Sequence, residues 1–66
     1  MTAIFGQQLK QLRIDSGLTQ KDLAKELGLT FNQISDWEIG RSHPDIDTLC
    51  KIADYFKVTP NDILGY

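Results

Sequence analysis

Histidine and cysteine are the residue types that most often support catalysis or metal binding, and this chain has one of each, His43 and Cys50. A single cysteine cannot form an intramolecular disulfide, and no cluster of Cys and His has the spacing of a metal site. The sequence also shows no thiol–imidazole pairing and no glycine-rich phosphate loop. The residues therefore favour binding over catalysis, and we expect no enzyme activity, no cofactor and no metal.

Each of these two residues also has a simple structural explanation. Cys50 lies beside Leu49 and Ile52 in an apolar stripe, so we expect it to be a small buried hydrophobic residue. His43 could contact a phosphate, although a lone histidine in a loop is usually only solvated.

Length and charge limit the architecture and the partners of the chain. Its 66 residues are enough for one domain, which buries about 60% of the surface that its unfolded chain exposes. The net charge of −2 and the pI near 5.0 argue against a protein that holds nucleic acid by charge alone. Nucleic-acid binding would require the cations to be concentrated on one face. The sequence shows no signal peptide and no membrane span, so a cytoplasmic protein is expected.

A helix-start pattern occurs three times, in residues 18–23, 29–34 and 58–63. In each segment a Thr suited to the N-cap precedes by three residues an Asp or Gln that can reach back to the backbone N–H of the cap. An apolar residue before the Thr matches another at the fourth helical position, as a hydrophobic staple requires. The predicted pairs are Thr19 with Asp22, Thr30 with Gln33, and Thr59 with Asp62.

Glycines mark the expected helix ends, because glycine accepts the left-handed conformation that terminates a helix. Gly17, Gly28 and Gly40 occupy such positions, and Asp45 is a plausible cap for a fourth helix. No segment alternates with the period of two that is typical of strands. The sequence predicts an all-α fold, a compact five-helix bundle, with helices over Ala3 to Ser16, Gln20 to Leu27, Phe31 to about Ile39, Asp45 to about Phe56, and Pro60 to Leu64.

The second and third helices are joined by three residues, Gly28-Leu29-Thr30, which is the length and type of joint found in a helix-turn-helix. We expect Ala24 to lie where these helices cross, because a larger side chain would push them apart. Ile34 is expected to fill the same crossing from the other side. The helix-turn-helix is thus predicted over about residues 20–39.

The chain closely resembles the lambda-repressor-like helix-turn-helix family, the Cro/C1 or XRE type of phage and bacterial transcriptional regulators. The resemblance covers almost the whole chain. It implies a five-helix bundle whose third helix, the recognition helix, reads the major groove of double-stranded DNA, usually as a homodimer on inverted half-sites. A transcriptional regulator, most simply a repressor, in a bacterial cell or a phage-infected host is therefore expected. The matching residues are Leu12-Arg13, Gly17-Leu18-Thr19-Gln20, Leu23-Ala24, Leu27-Gly28, Ile34-Ser35, Trp37-Glu38, Gly40, Pro44 and Leu49 to Ala53.

The resemblance also implies roles for individual residues. Gln20 matches a residue that holds a phosphate with its side chain and the helix-end amide, which fits the affinity of helix N-termini for anions. Arg13 and Glu38 match a structural ion pair. The residues expected to contact phosphates are Lys10, Thr19, Gln20, Lys21, Arg41, Ser42 and His43.

Phe31, Asn32 and Asp36 match the positions that meet base edges. Asn32 can pair bidentately with adenine, Phe31 can touch a thymine methyl, and Asp36 can accept a hydrogen bond from cytosine N4. Phe31 could instead pack against the second helix, and Asp36 could be a solvated acid or a charge that repels wrong sequences. Gln33 has two candidate roles, the capping box and a base contact. Trp37 is expected to be structural.

Two features leave alternatives open. The recognition helix contains Asp36 and Glu38 but no Lys or Arg, so a protein-interaction module that keeps this fold is the alternative function. The apolar residues near the end of the chain either cap the core or form part of a two-fold interface. These possible dimer-interface residues are Ile63, Leu64 and Tyr66.

Overall fold

The computed structural model describes residues 2–65, with side chains from residue 4 onward, and these residues form five helices. No strand occurs within residues 2–65, so the predicted all-α fold is confirmed. None of the described helices is long and apolar enough to cross a membrane. The helices are α1 (Thr2–Asp15), α2 (Gln20–Leu27), α3 (Phe31–Glu38), α4 (Ile46–Phe56) and α5 (Pro60–Leu64).

The helix starts follow the side-chain caps that the sequence predicted. Thr19, Thr30 and Thr59 each accept a hydrogen bond from the backbone N–H three residues later, and the side chain at that third position accepts one from the backbone N–H of the threonine. Asp45 caps α4, where its carboxylate accepts from the backbone N–H of Thr48 at 2.8 Å. These bonds satisfy donors that the first turn of a helix leaves without partners.

Two helices end one residue earlier than predicted, and one helix end is not marked by a glycine. Gly28 and Gly65 adopt the left-handed conformation after α2 and α5, with φ of 68° and 84°. After α4 the same conformation is taken by Lys57, at φ 58°, the one non-glycine residue with positive φ among the described residues. Asp15 and Glu38 end α1 and α3 one residue earlier than expected.

All five helices surround the core: α3 packs against α1 and α2, α5 against α1 and α4, and α2 against α4. Eleven apolar side chains are buried there and pack as one cluster. Trp37 is among them, 5% exposed, so its expected structural role fits its position. The buried residues are Phe5, Leu9, Leu23, Ala24, Leu27, Ile34, Trp37, Leu49, Ile52, Ala53 and Ile63.

Two expectations about burial are wrong. Cys50 is exposed rather than buried, because one residue turns a helix by about 100° and so carries it off the face of Leu49 and Ile52. Ile63, expected as a possible dimer contact, is 1% exposed and belongs to the core. Its position after the Thr59 cap directs it inward as the partner of the hydrophobic staple. Leu64 is half-buried against the core, and Tyr66 lies outside the described residues.

Candidate nucleic-acid interface

The crossing of α2 and α3 determines which side of α3 faces outward. Gly28 ends α2 in a left-handed turn, and the backbone N–H of Leu29 donates to the Ala24 carbonyl at 2.8 Å. Ala24 and Ile34 are both buried at this crossing, as predicted. With its Ile34 and Trp37 side buried, α3 is left with its opposite side in solvent.

The outward side of α3 carries the residues that were expected to meet base edges. Phe31 is 43% exposed, Asn32 is exposed and Asp36 is half-exposed. At about 100° per residue, these three positions fall within an arc of roughly 140° on one side of the helix. Ser35 falls in the same arc and is half-exposed. The sequence interpretation did not include Ser35, although the helical period places it there. We refer to Phe31, Asn32, Ser35 and Asp36 as the reading face.

Gln33 lies beside the reading face but is used in the capping box. Its Oε1 accepts from the backbone N–H of Thr30 at 3.0 Å, and its own N–H donates to the Thr30 hydroxyl at 3.2 Å. Of its two candidate roles, capping is the one that the structure contains.

One cation lies at each end of the reading face. Lys21, in the first turn of α2, places its Nζ 6.0 Å from the centroid of the Phe31 ring, within the range of a cation–π contact. Arg41 follows α3, and its Nη1 lies 3.6 Å from the Asp36 Oδ1. The second pair was not foreseen, because it depends on how the turn after α3 returns the chain. It partly neutralises the acid on a helix that carries no Lys or Arg.

A buried polar network fixes the two ends of the helix-turn-helix to α1. Arg13 Nε donates to Glu38 Oε2 at 2.6 Å, and the side chains are only 11% and 3% exposed. Arg13 also donates to the Leu18 carbonyl at 2.7 Å. This is the structural ion pair that the family resemblance implied.

Gln20 also joins this network. Its Nε2 donates to Glu38 Oε1 at 3.0 Å, which uses one of the two N–H donors of this half-exposed side-chain amide. The backbone amide of Gln20 at the start of α2 also suits a phosphate, because the helix dipole there favours an anion.

The remaining candidate phosphate ligands are Lys10, Thr19, Ser42 and His43, all of them exposed. Thr19 already serves as the cap of α2. Its backbone N–H and hydroxyl lower the pKa of the Asp22 carboxyl, with a smaller contribution from the charge of Lys25. His43 also lines a mostly apolar surface cavity of about 120 Å³ together with Phe5, Pro44, Ile46, Leu49 and Leu64.

A further contact missed by the sequence interpretation supports the joint between α2 and α3. Lys51 on α4 donates from its Nζ to the Leu27 carbonyl at 2.6 Å, at the end of α2. A cation there also suits the negative end of the helix dipole. No sequence signal links residues 24 positions apart in this way.

Comparisons with known proteins agree with this geometry. A helix-turn-helix family model matches residues 9–63. The chain is 38% identical over 61 residues to the HTH-type transcriptional activator BcrR of Enterococcus faecalis, covering 92% of this chain and 30% of BcrR. It is 37% identical over 61 residues to the HTH-type transcriptional regulator ImmR of Bacillus subtilis, covering 92% and 48%. The chain therefore spans less than half the length of these two regulators.

A solved structure shows the same arrangement of helices. The restriction-modification controller protein C.AhdI from Aeromonas hydrophila superimposes with a TM-score of 0.84 at 29% identity, covering 94% of this chain and 94% of C.AhdI. This likeness extends over all five helices of the described region, including α4 and α5 beyond the helix-turn-helix.

Proposed function

Because this chain belongs to the Cro/C1-type helix-turn-helix family of transcriptional regulators, we propose that it binds a specific sequence of double-stranded DNA with α3 in the major groove. The observation that supports this most directly is the reading face, whose side chains project together while Ala24 and Ile34 close the crossing beneath them. A B-form major groove about 12 Å wide admits one α-helix.

Base recognition in this proposal rests on three side chains of the reading face. Asn32 pairs with adenine through its amide, which offers both the donor and the acceptor that adenine requires. Phe31 contacts a thymine methyl with the part of its ring that is exposed. Asp36 accepts from cytosine N4. Gln33 is left to its capping bond, so we no longer assign it to a base.

Phosphate contacts fix the domain on the duplex. We assign them to Lys21 and Arg41 beside the reading face, to the backbone amide of Gln20, and to the exposed side chains of Lys10, Thr19, Ser42 and His43. Few of these groups are cationic, so few counterions are released on binding. The affinity should therefore depend only shallowly on salt, and a single copy should bind weakly.

We further propose that two copies bind an inverted repeat, with their α3 helices about 34 Å apart. Because a single copy binds weakly, a second copy bound to the other half-site would raise the overall affinity. Leu64 remains available for a two-fold contact because it is only half-buried. We extend this proposed contact to Tyr66, which lies outside the described residues. We also propose that the protein acts in the cytoplasm and that it represses transcription. A protein that occupies its operator excludes polymerase and needs no activating surface to do so.

Selection from a pool of random duplexes tests the proposed function. We expect enrichment of one sequence, and we expect Asn32→Ala to weaken binding to it by about 5- to 100-fold with loss of an adenine preference. Asn61→Ala is the matched control, because it removes the same side chain from an exposed position on α5. A wild-type protein that enriches no sequence at low salt would contradict the proposal and favour a protein partner instead.

A further inference from the structure

The Asp36–Arg41 pair occupies a position from which a base contact and a phosphate contact can influence each other. The two side chains lie 3.6 Å apart, with 36% of Asp36 and 71% of Arg41 exposed. The backbone N–H of Arg41 also donates to the Asp36 carbonyl at 2.9 Å, so the turn after α3 keeps the two residues adjacent. Both therefore lie where DNA would meet the end of the reading face.

In the free protein, pairing with Asp36 makes the Arg41 guanidinium less available to a DNA phosphate. Helix α3 has no cation of its own and the chain carries a net charge of −2, so Arg41 is an important cation for this surface. While Arg41 is paired with Asp36, a phosphate must compete with the carboxylate for the guanidinium. An exposed ion pair is weak, so a stronger combination of contacts can replace it.

The four bases differ in whether their major-groove edges can replace Arg41 as the hydrogen-bonding partner of Asp36. Cytosine presents an N4 amino donor to the major groove, which a carboxylate can accept. Guanine presents two acceptors and thymine presents O4, and each of these repels a carboxylate. Adenine places an acceptor beside its donor. Cytosine is therefore the base best able to replace Arg41 as the hydrogen-bond donor to the Asp36 carboxylate.

We propose that Asp36 and Arg41 form a specificity switch, in which a cytosine facing Asp36 donates a hydrogen bond from its N4 amino group to the carboxylate and so releases Arg41 to a backbone phosphate. Opposite the other bases Arg41 stays with Asp36 and the phosphate contact is lost. This inference rests on the proposed function and adds a coupling between base reading and backbone binding. The contribution of Arg41 to affinity then depends on the DNA sequence. Removing a residue that contacts only a phosphate normally weakens binding to all DNA sequences alike.

The test measures the affinities of wild type, Asp36→Asn and Arg41→Gln for the enriched duplex and for all its single-base variants. We expect wild type to prefer cytosine at one position and Asp36→Asn to lose that preference. Arg41→Gln should lower the affinity about two- to fivefold for duplexes with that cytosine and leave the variants at that position nearly unchanged. Lys57→Gln is the control, since it removes one charge from an exposed residue elsewhere.

Non-specific binding supplies a second readout. Asp36→Asn should raise the affinity for random-sequence duplex about two- to fivefold, and the gain should be smaller when Arg41 is already Gln. Asp54→Asn, which makes the same change of charge at an exposed position of α4, serves as the control.

The outcomes separate this inference from the proposed function. A uniform loss of affinity with Arg41→Gln across all base variants would overturn the switch, as would the absence of any cytosine preference that depends on Asp36. Equal gains from Asp36→Asn in both backgrounds would also overturn it. In each of these cases wild type still enriches a sequence, and only the absence of enrichment contradicts the proposed function itself.

Discussion

At the scale of single residues, Gly6 shows how closely α3 is held against α1. A Cβ added at Gly6 would lie 2.5 Å from the Trp37 carbonyl oxygen and 2.7 Å from that of Glu38. The backbone of α1 therefore touches the end of α3, and no side chain fits between them. The sequence alone marks Gly6 as a poor helix residue and cannot show what lies against it.

This close approach makes a prediction of unusual sign. Replacing a glycine inside a helix with alanine normally stabilises a protein, by roughly 0.5–1 kcal/mol. We expect Gly6→Ala to lower the free energy of unfolding by about 1–3 kcal/mol, because the new methyl group overlaps backbone atoms that cannot rotate away. Urea unfolding measures the change, with exposed Gln7→Ala as the neighbouring control. A Gly6→Ala protein as stable as wild type would show that α1 and α3 lie further apart.

At the scale of elements, the helix starts that were predicted from residues close together in the sequence are the ones that the structure confirms. Every capping box involves residues three positions apart, so the starts of α2, α3 and α5 could be predicted from the sequence and are confirmed. The end of α4 at Phe56 is also confirmed, although the left-handed residue that follows it is Lys57 and not the glycine that usually marks a helix end. Cys50 was misplaced because its apolar neighbours suggested a wider buried face than α4 has.

The caps also predict how stability changes in acid. Hydrogen bonds from Thr19 lower the pKa of Asp22, and those from Thr48 lower the pKa of Asp45, each from an ordinary value of 3.8. A carboxyl whose folded pKa is lowered stabilises the folded state above its unfolded pKa. That stabilisation is lost as the pH falls through the lower folded pKa.

We therefore expect the urea midpoint to fall as the pH is lowered from 6 through 3.8 and below. Asp22→Asn and Asp45→Asn should each reduce this fall, because the amide does not titrate. Asp54→Asn, at an exposed position of α4, is the control. If all three variants and wild type lost the same stability over this range, the caps would not be the groups responsible.

At the scale of the whole molecule, the fold could be predicted more fully than the interface. The positions of Phe31, Asn32 and Asp36 on one side of α3 follow from the helical period and from the short joint. Their partners do not, because Lys21 is brought to α3 by the tertiary packing and Arg41 by the conformation of the turn after α3. The bond from Gln20 to Glu38 could not be predicted either, since only the folded chain brings these two side chains together. An acidic chain can still present cations locally beside α3.

The proposed function places DNA on the reading face and on the turn that follows it. Titration of isotope-labelled protein with the enriched duplex, followed through the backbone amide resonances by NMR, shows which residues meet the DNA. We predict that the largest shifts fall in residues 19–21, 31–36 and 41–43. Largest shifts in α4 and α5, with residues 31–36 unchanged, would contradict it.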